Sequence, residues 1–418
     1  MILKDKDILV VDLTHGGLTI AEELSKIGAS VTVLDIYKSH LPKRCEEIDG
    51  PVFPVKVEIS KDQDYDIIIS PVHSPVLNPI LSEDPRVVSH HEITGILVRD
   101  ILKKANIVEI TGVKGKTSTA SLLTDIFAEA GMGVVSSTSI DVSFREGEGK
   151  TTLGKASITP ANAIKVAHMT LDWGLDPDLF IFELSLGFIG AGRTGILTSA
   201  RYDYPVAGKK LSAVACKVYT ASYFKKAQLI LDSDSFKEHS ESLKGLELIR
   251  YDTLDSLKLA DTIFGPTHMK NALAAMAVAR CSGIEDEIIK RAFSSSKGVP
   301  GRMEMSYESG RIIINNSNPA MNSVSLQTAI DEVLQYDKNA EIAVFSGGEE
   351  SRCSHTDYNA LKKVIDEYGR NKKIRFFFTG KVGRRLIDMG CIGTFIENID
   401  SENLPEDDIL LFSMQGEY

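Results

Sequence analysis

Short, mostly apolar runs recur along the chain, and between them apolar residues return every three or four positions. Ile8–Val11 and Val31–Leu34 are such runs; between them Leu18, Ile20, Ala21, Leu24 and Ile27 fall on one face of a helix that Gly28 would end. Tyr65–Ser70 repeats the strand pattern, as do Ile107–Ile110, Leu179–Leu184 and Gly195–Thr198. Arg311–Ile314, Glu341–Phe345, Ile374–Phe378 and Ile409–Phe412 follow. Helical spacing covers residues 322–336, 356–369 and 383–389 among this last group. A strand apolar on both faces must be covered on both faces, so the alternation predicts parallel sheets flanked by helices, an α/β fold.

The chain has 418 residues, long enough for about three domains. The pattern places them at 1–99, 100–300 and 301–418. The first and third read as Rossmann-like, and the central one as a parallel sheet of P-loop ATPase type. A composition of 43% hydrophobic and 25% charged residues supplies several cores. Net charge of −11 argues against broad nucleic-acid binding, although one basic pocket is enough for a small anion. No apolar run approaches the roughly 18 residues that cross a bilayer, and Met1–Asp7 lacks a signal-peptide pattern. Cys45, Cys216, Cys281, Cys353 and Cys391 form no Cys-x-x-Cys pair. A cytoplasmic protein with a small-molecule substrate and no membrane partner is expected.

Candidate chemistry concentrates at Ile107–Thr119. A strand runs into a glycine turn, Gly112 to Gly115, and Lys116-Thr117 opens a helix. Backbone N–H groups at a helix N-terminus face an anion, and glycine lets the backbone approach it. Lys116 would reach the β- and γ-phosphates, and Thr117 would hold Mg2+. Ile110 stands where the longer P-loop pattern has glycine, so the loop matches the shorter Thr-Gly-x-x-Gly-Lys-Thr form. Glu183 ends an apolar strand, the place for a Mg2+ ligand in such a sheet. Lys217 lies in the small, apolar Ser212–Tyr219 segment, where spacing alone favours a side chain snorkelling to solvent. Asp12-Leu-Thr-His-Gly-Gly17 lacks the G-x-G-x-x-G of a dinucleotide site, which disfavours NAD. Cys353-Ser-His355 has no partner pair nearby and reads as a surface loop.

Seven segments then stand in one order: Thr111–Thr117, Thr159-Pro160, Glu183–Ser185, Leu197-Thr198 with Asp203, Ala215–Lys217, Asn271–Ala275 and Gly298–Glu304. In these the chain resembles the Mur ligase family over most of its length, and Ser70-Pro71 with Asn78-Pro79 is similar to its MurD-type branch. The resemblance implies a three-domain ATP-dependent ligase that phosphorylates a carboxylate, after which a nucleophile displaces phosphate. It implies that Thr111, Gly112, Lys114, Gly115, Lys116, Thr117 and Ser118 hold ATP, and that Thr117 and Glu183 hold Mg2+. Lys217 would be carbamylated and help hold a second Mg2+; carbamylation makes a cation an anion beside metals. Asn271 and His268 fall near adenine, Asn316 near the ribose, and Arg302 would reach ATP on domain closure. Lys116, Glu183, Lys217 and Arg302 form the implied catalytic set. The chain departs from the family at Ser199 for Asn, Tyr204 for a metal-binding His, His268 for Asn and Asn316 for an acid.

In cell-wall members the N-terminal domain holds a uridine nucleotide on a glycine-rich turn. Here the Asp12–Gly17 turn, the loop histidines His15, His73, His90 and His91, the Val52–Lys56 segment and Arg201–Tyr204 resemble the archaeal branch that makes coenzyme F(430). That resemblance implies an anionic nickel tetrapyrrole as substrate, its propionate phosphorylated and then attacked by a ring carbon. His15, Gly16, Gly17, His73, His90 and His91 are the substrate-contact candidates, by axial approach to nickel or hydrogen bonds to carboxylates; loop and cap roles are the more ordinary account of the histidines. Two other readings stand beside this one. One is an amino-acid ligase acting on a nucleotide-linked cell-wall or pseudomurein precursor. The other is an ATP-bound switch without ligation.

Overall fold

The computed structural model describes residues 2–36, 64–103, 105–201, 203–224, 227–254, 265–296, 298–318, 321–349, 356–399 and 404–415. Cys45, Val52–Lys56, Tyr202 and Cys353-Ser-His355 lie outside them. The first sheet contains β1 (Asp7–Val11), β2 (Ser30–Leu34), β3 (Ile67–Ser70) and β4 (Val87–Ser89). All pairs are parallel, in the order β2-β1-β3-β4. Helices α1 (Leu18–Lys26) and α2 (His90–Leu102) pack on it.

The second sheet contains β5 (Asn106–Thr111), β6 (Val134–Ser137), β7 (Val142–Glu146), β8 (Gly149–Gly154), β9 (Leu179–Glu183) and β10 (Thr194–Leu197). A small antiparallel pair follows, β11 (Pro205–Val206) with β12 (Leu211–Ser212). The second sheet then continues with β13 (Gln228–Leu231) and β14 (Glu247–Arg250). Its order is β14-β13-β10-β5-β9-β6-β7-β8. The parallel sheet expected from the apolar strands is corrected at one edge, where β6, β7 and β8 are antiparallel. Gly147, at φ 54°, turns the chain back there, and β8 is largely exposed, so no helix need cover it. Helices α3 (Lys116–Glu129), α4 (Asn162–Asp172), α5 (Ala213–Ala221) and α6 (Ser233–His239) accompany this sheet.

After α7 (Gly265–Cys281) and α8 (Asp286–Ser295) comes a third sheet. It is built of β15 (Glu304–Glu308), β16 (Arg311–Asn315), β17 (Ile342–Gly348), β18 (Ile374–Thr379), β19 (Thr394–Phe395) and β20 (Ile409–Gln415). Its order is β15-β16-β20-β17-β18-β19, antiparallel only between β15 and β16. Helices α9 (Ser323–Tyr336), α10 (Tyr358–Tyr368) and α11 (Gly380–Asp388) belong to it.

By compactness the chain divides into two units, Met1–Ser256 with Asn271–Ala292, and Leu257–Lys270 with Phe293–Tyr418. Within the first, one apolar cluster runs from Ile8 and Val10 through Ile93 and Leu97 of α2 and Ile164 of α4 to Phe180 and Phe182 of β9. The first two sheets therefore share a core. Among the described residues no helix is long and apolar enough to cross a membrane.

Candidate active site

The end of β5 and the start of α3 form a backbone cradle. Gly112 (φ 149°) and Gly115 (φ 87°) take conformations that L side chains rarely adopt. A Cβ at Gly112 would lie 2.1 Å from Thr198 Oγ1, and one at Gly115 would lie 2.3 Å from Asn271 Oδ1. Neighbouring strand ends fix the loop: the Thr198 hydroxyl donates to Lys114 O at 2.5 Å, and the Thr111 hydroxyl to Leu184 O at 3.0 Å. Lys116 Nζ donates to Gly112 O at 3.1 Å. Ser118 is buried in the first turn of α3.

Thr117 and Glu183 meet at the floor of this cradle. The Thr117 hydroxyl donates to Glu183 Oε1 at 3.1 Å and lies 3.2 Å from Ser139 Oγ, and Ser139 N–H donates to Glu183 Oε2 at 3.0 Å. A hydroxyl and a carboxylate beside a helix N-terminus are hard oxygen donors suited to a divalent cation, and the cradle that any side chain at 112 or 115 would fill suits a polyphosphate. Ser139 was not legible as a site residue, since it follows β6 in no motif.

Lys217 does not snorkel. It is 1% exposed on α5, where the small residues Ala213, Val214, Cys216 and Ala221 bury the helix, and its Nζ donates to Ala213 O at 3.4 Å. Burial first, and then the charge of Lys116, push its amino group down to about 7. Its Nζ lies 5.7 Å from the ring centre of Tyr204. Asp203 Oδ1 accepts from Val214 N–H at 2.9 Å and anchors the start of α5. A buried amine that is partly neutral near pH 7 is a nucleophile suited to carbamylation.

The histidines gather around a cavity of about 290 Å³ lined by His15, Pro71, His73, His90, His91, Thr159, Pro160, Ser185, Leu186, Val206 and Ala207. His15 lies in the turn after β1, where Gly16 (φ 102°) and Gly17 admit Ala161 and Asp12 O so closely that a Cβ would clash. His73 lies between β3 and β4. His90 and His91 are corrected from loop residues to the buried first turn of α2. Ser89 caps that helix by accepting from Glu92 N–H, while the imidazoles reach Val11 O (2.8 Å) and Ser185 O (3.2 Å). Ser185, two residues after Glu183, carries the cavity wall to the strand end that holds the cradle carboxylate.

Two more buried carboxylates organise this region. Asp12 is fully buried at φ 74°, and its Oδ1 accepts from Thr14 N–H at 2.8 Å. An Asp just after a strand whose side chain accepts from backbone N–H groups two and three residues on makes such a capped turn. Glu109 is also fully buried, and it accepts from Ile189, Gly190 and Gly192 N–H at 2.7, 3.0 and 2.9 Å. It thereby fixes the loop that follows Ser185.

Asn271 is buried against Gly115 in the first unit. His268, Arg302 and Asn316 belong to the second. There Arg302 Nη1 donates to Asn318 Oδ1 at 2.9 Å, and Asn316 Nδ2 to Ser413 Oγ at 3.4 Å. Burial lowers the His268 pKa, against a hydrogen bond with the Arg302 backbone.

No family model matches the chain. A protein named coenzyme F(430) synthetase from Methanosarcina acetivorans is 29% identical over 425 residues, covering 87% of this chain and 88% of that relative. One of the same name from Methanocaldococcus jannaschii is 25% identical over 431 residues, covering 97% and 98%. The MurF ligase of Thermotoga maritima in complex with ADP superimposes with a TM-score of 0.58 at 13% identity, over 98% of this chain and 91% of that one. The bifunctional folylpolyglutamate synthase/dihydrofolate synthase of Yersinia pestis, complexed with AMPPNP and Mn, gives 0.56 at 17% identity over 79% and 92%. The fold is that of the Mur ligases and folylpolyglutamate synthases, and the chain is an ATP-dependent ligase. In sequence it is similar over most of its length to coenzyme F(430) synthetases.

Proposed function

We propose that the protein closes the last carbocycle of coenzyme F(430), starting from the nickel-containing seco-acid, with ATP consumed to ADP and phosphate. The observation that carries this reading is the His15–His73–His90–His91 cavity, which extends to Ser185 beside the cradle. It has room for the propionate-bearing edge of a large anionic macrocycle. The names of the relatives that span the chain support the same reading.

ATP with Mg2+ would supply the phosphoryl group and neutralise its charge. The loop Thr111–Ser118 would hold the phosphates, Lys116 as their fixed cation, with Thr117 and Glu183 as metal ligands. Lys217, carbamylated, would add a second anionic ligand. Asn271 would face adenine, and His268, Arg302 and Asn316 would reach the nucleotide when the domains close, excluding water from the acyl phosphate. In this scheme residues 1–99 bind the macrocycle, 100–300 the nucleotide, and 301–418 close the site. The setting is cytoplasmic, without a nucleic-acid or membrane partner. A single scaffold carrying both reacting groups supplies proximity for the ring closure. The test is ADP release with ATP and Mg2+, with and without the nickel seco-acid. Release that ignores the seco-acid refutes this substrate and redirects the search to amino acids with nucleotide-linked precursors.

A further inference from the structure

Asp12 and His15 form a pair that nucleotide binding does not use. His15 Nδ1 lies 2.6 Å from Asp12 Oδ2, while Asp12 Oδ1 accepts from Thr14 N–H (2.8 Å) and His15 N–H (3.2 Å). Burial works to raise the Asp12 pKa, but the hydrogen bond and charge of His15 hold it below the ordinary value. An ionised carboxylate only accepts, so His15 Nδ1 carries the proton and neutral His15 has its lone pair on Nε2. The His73 ring meets His15 edge-on, with centroids 4.7 Å apart. Its Nε2 is buried 3.8 Å from Asp12 Oδ2 and makes no hydrogen bond among the described residues. His15 is part-exposed into the cavity, whereas Asp12 is sealed behind it.

A carboxylate that fixes one tautomer of an imidazole at a cavity wall is the arrangement of a general base. The Asp12 bond, working against burial, raises the His15 pKa. Burial first, and then the charge of His15, lower His73 to about 4, so the ring beside His15 stays neutral. In a ring closure the attacking carbon bears a hydrogen that must leave as a proton, which requires an acceptor at the cavity wall.

We propose that His15, oriented by Asp12, is the general base that takes the proton from the attacking ring carbon. This inference rests on the ring-closing reading above. The carbon–carbon bond forms at the acyl carbon, the bond from that carbon to the phosphate oxygen breaks, and phosphate leaves with the electron pair. The hydrogen of the attacking carbon passes as a proton to His15 Nε2, and the resulting imidazolium is held by Asp12.

The experiment compares wild type, His15→Ala and Asp12→Asn with ATP, Mg2+ and the nickel seco-acid. It follows acyl phosphate by trapping with hydroxylamine and carbocycle formation by the tetrapyrrole spectrum. Asp12→Asn keeps an oxygen for the Thr14 and His15 N–H groups, so the turn is retained. The expected result is closure slowed about 100-fold or more in both variants at saturating seco-acid, well beyond any loss of trapping. Closure at the wild-type rate in His15→Ala overturns the proposal. So does equal loss of trapping and closure, which makes His15 a binding group, or a transition metal retained on Asp12, His15 and His73. Absence of seco-acid-dependent trapping in the wild type overturns instead the reading on which the proposal rests.

Discussion

Thr117 and Glu183, 66 residues apart in sequence, meet with Oγ1 and Oε1 3.1 Å apart at the floor of the cradle between β5 and α3. The contact brings the first turn of α3 to the tip of β9 and pairs two hard oxygens. Glu183→Gln keeps the shape and a hydrogen-bonding oxygen but removes the charge. Turnover is expected to fall about 100- to 1,000-fold, and the Mg2+ concentration for half-maximal rate to rise, with the thermal midpoint little changed. Wild-type Mg2+ dependence in this variant removes Glu183 from the metal site.

Gly115→Ala tests the cradle itself. The φ of 87° and the 2.3 Å approach of Asn271 Oδ1 leave no place for a methyl group. The variant is expected to bind ADP about 10-fold more weakly or worse, because strain of about 1–3 kcal/mol falls on the loop proposed to meet the phosphates. Lys116→Ala should retain the fold and lose ATP-dependent turnover. Calorimetric titration with ADP and a steady-state assay decide both. Unchanged ADP affinity in Gly115→Ala contradicts the loop assignment.

Lys217→Ala removes the buried amine that burial holds near 7. If its carbamate serves the metal site, a small added carboxylate should restore part of the lost turnover. Failure of rescue in a folded variant removes the carbamate role and leaves the ligase class intact.

Acid stability follows from the buried histidines. Burial pushes His90 down to about 4 and His91 to about 3. The unfolded chain takes up protons near 6.5 while the folded chain stays neutral, so their contribution is complete above 6.5 and is lost as pH falls toward 4. At pH 5 the loss reaches up to about 2 kcal/mol for each. The urea midpoint should drop between pH 7 and pH 5, and replacing both residues with Gln should flatten that slope. An equal slope in the double variant contradicts the assignment of neutral, buried imidazoles.

Glu109→Ala strands the three N–H groups of Ile189, Gly190 and Gly192. A stability loss of about 3 kcal/mol or more is expected by urea unfolding. A change below about 1 kcal/mol contradicts the anchoring role.

The legible parts of this fold are those decided locally. Ile107–Thr111 followed by Gly112, Gly115, Lys116 and Thr117 declares strand, turn and helix within a few residues, and the structure follows it. Uniformly apolar strands announced the parallel sheets for the same reason. His90 and His91 were misread as loop residues because their acceptors, Val11 O and Ser185 O, come from 79 and 94 residues away. Lys217 was misread from spacing because a lysine's burial depends on what covers its helix. Glu109 was missed because its charge is held inside by backbone N–H groups that no side-chain pattern encodes. The β7–β8 hairpin was missed because a short, half-polar edge pair lacks the apolarity of the central strands.

The most direct measurement is a single-turnover reaction with the nickel seco-acid in excess over ATP, counting ADP and weighing the macrocycle. The predicted result is one product molecule, lighter than the seco-acid by one water, for each ADP, with no added amine. ADP formed without any such product, or a product still bearing its free propionate, would contradict ring closure by this enzyme.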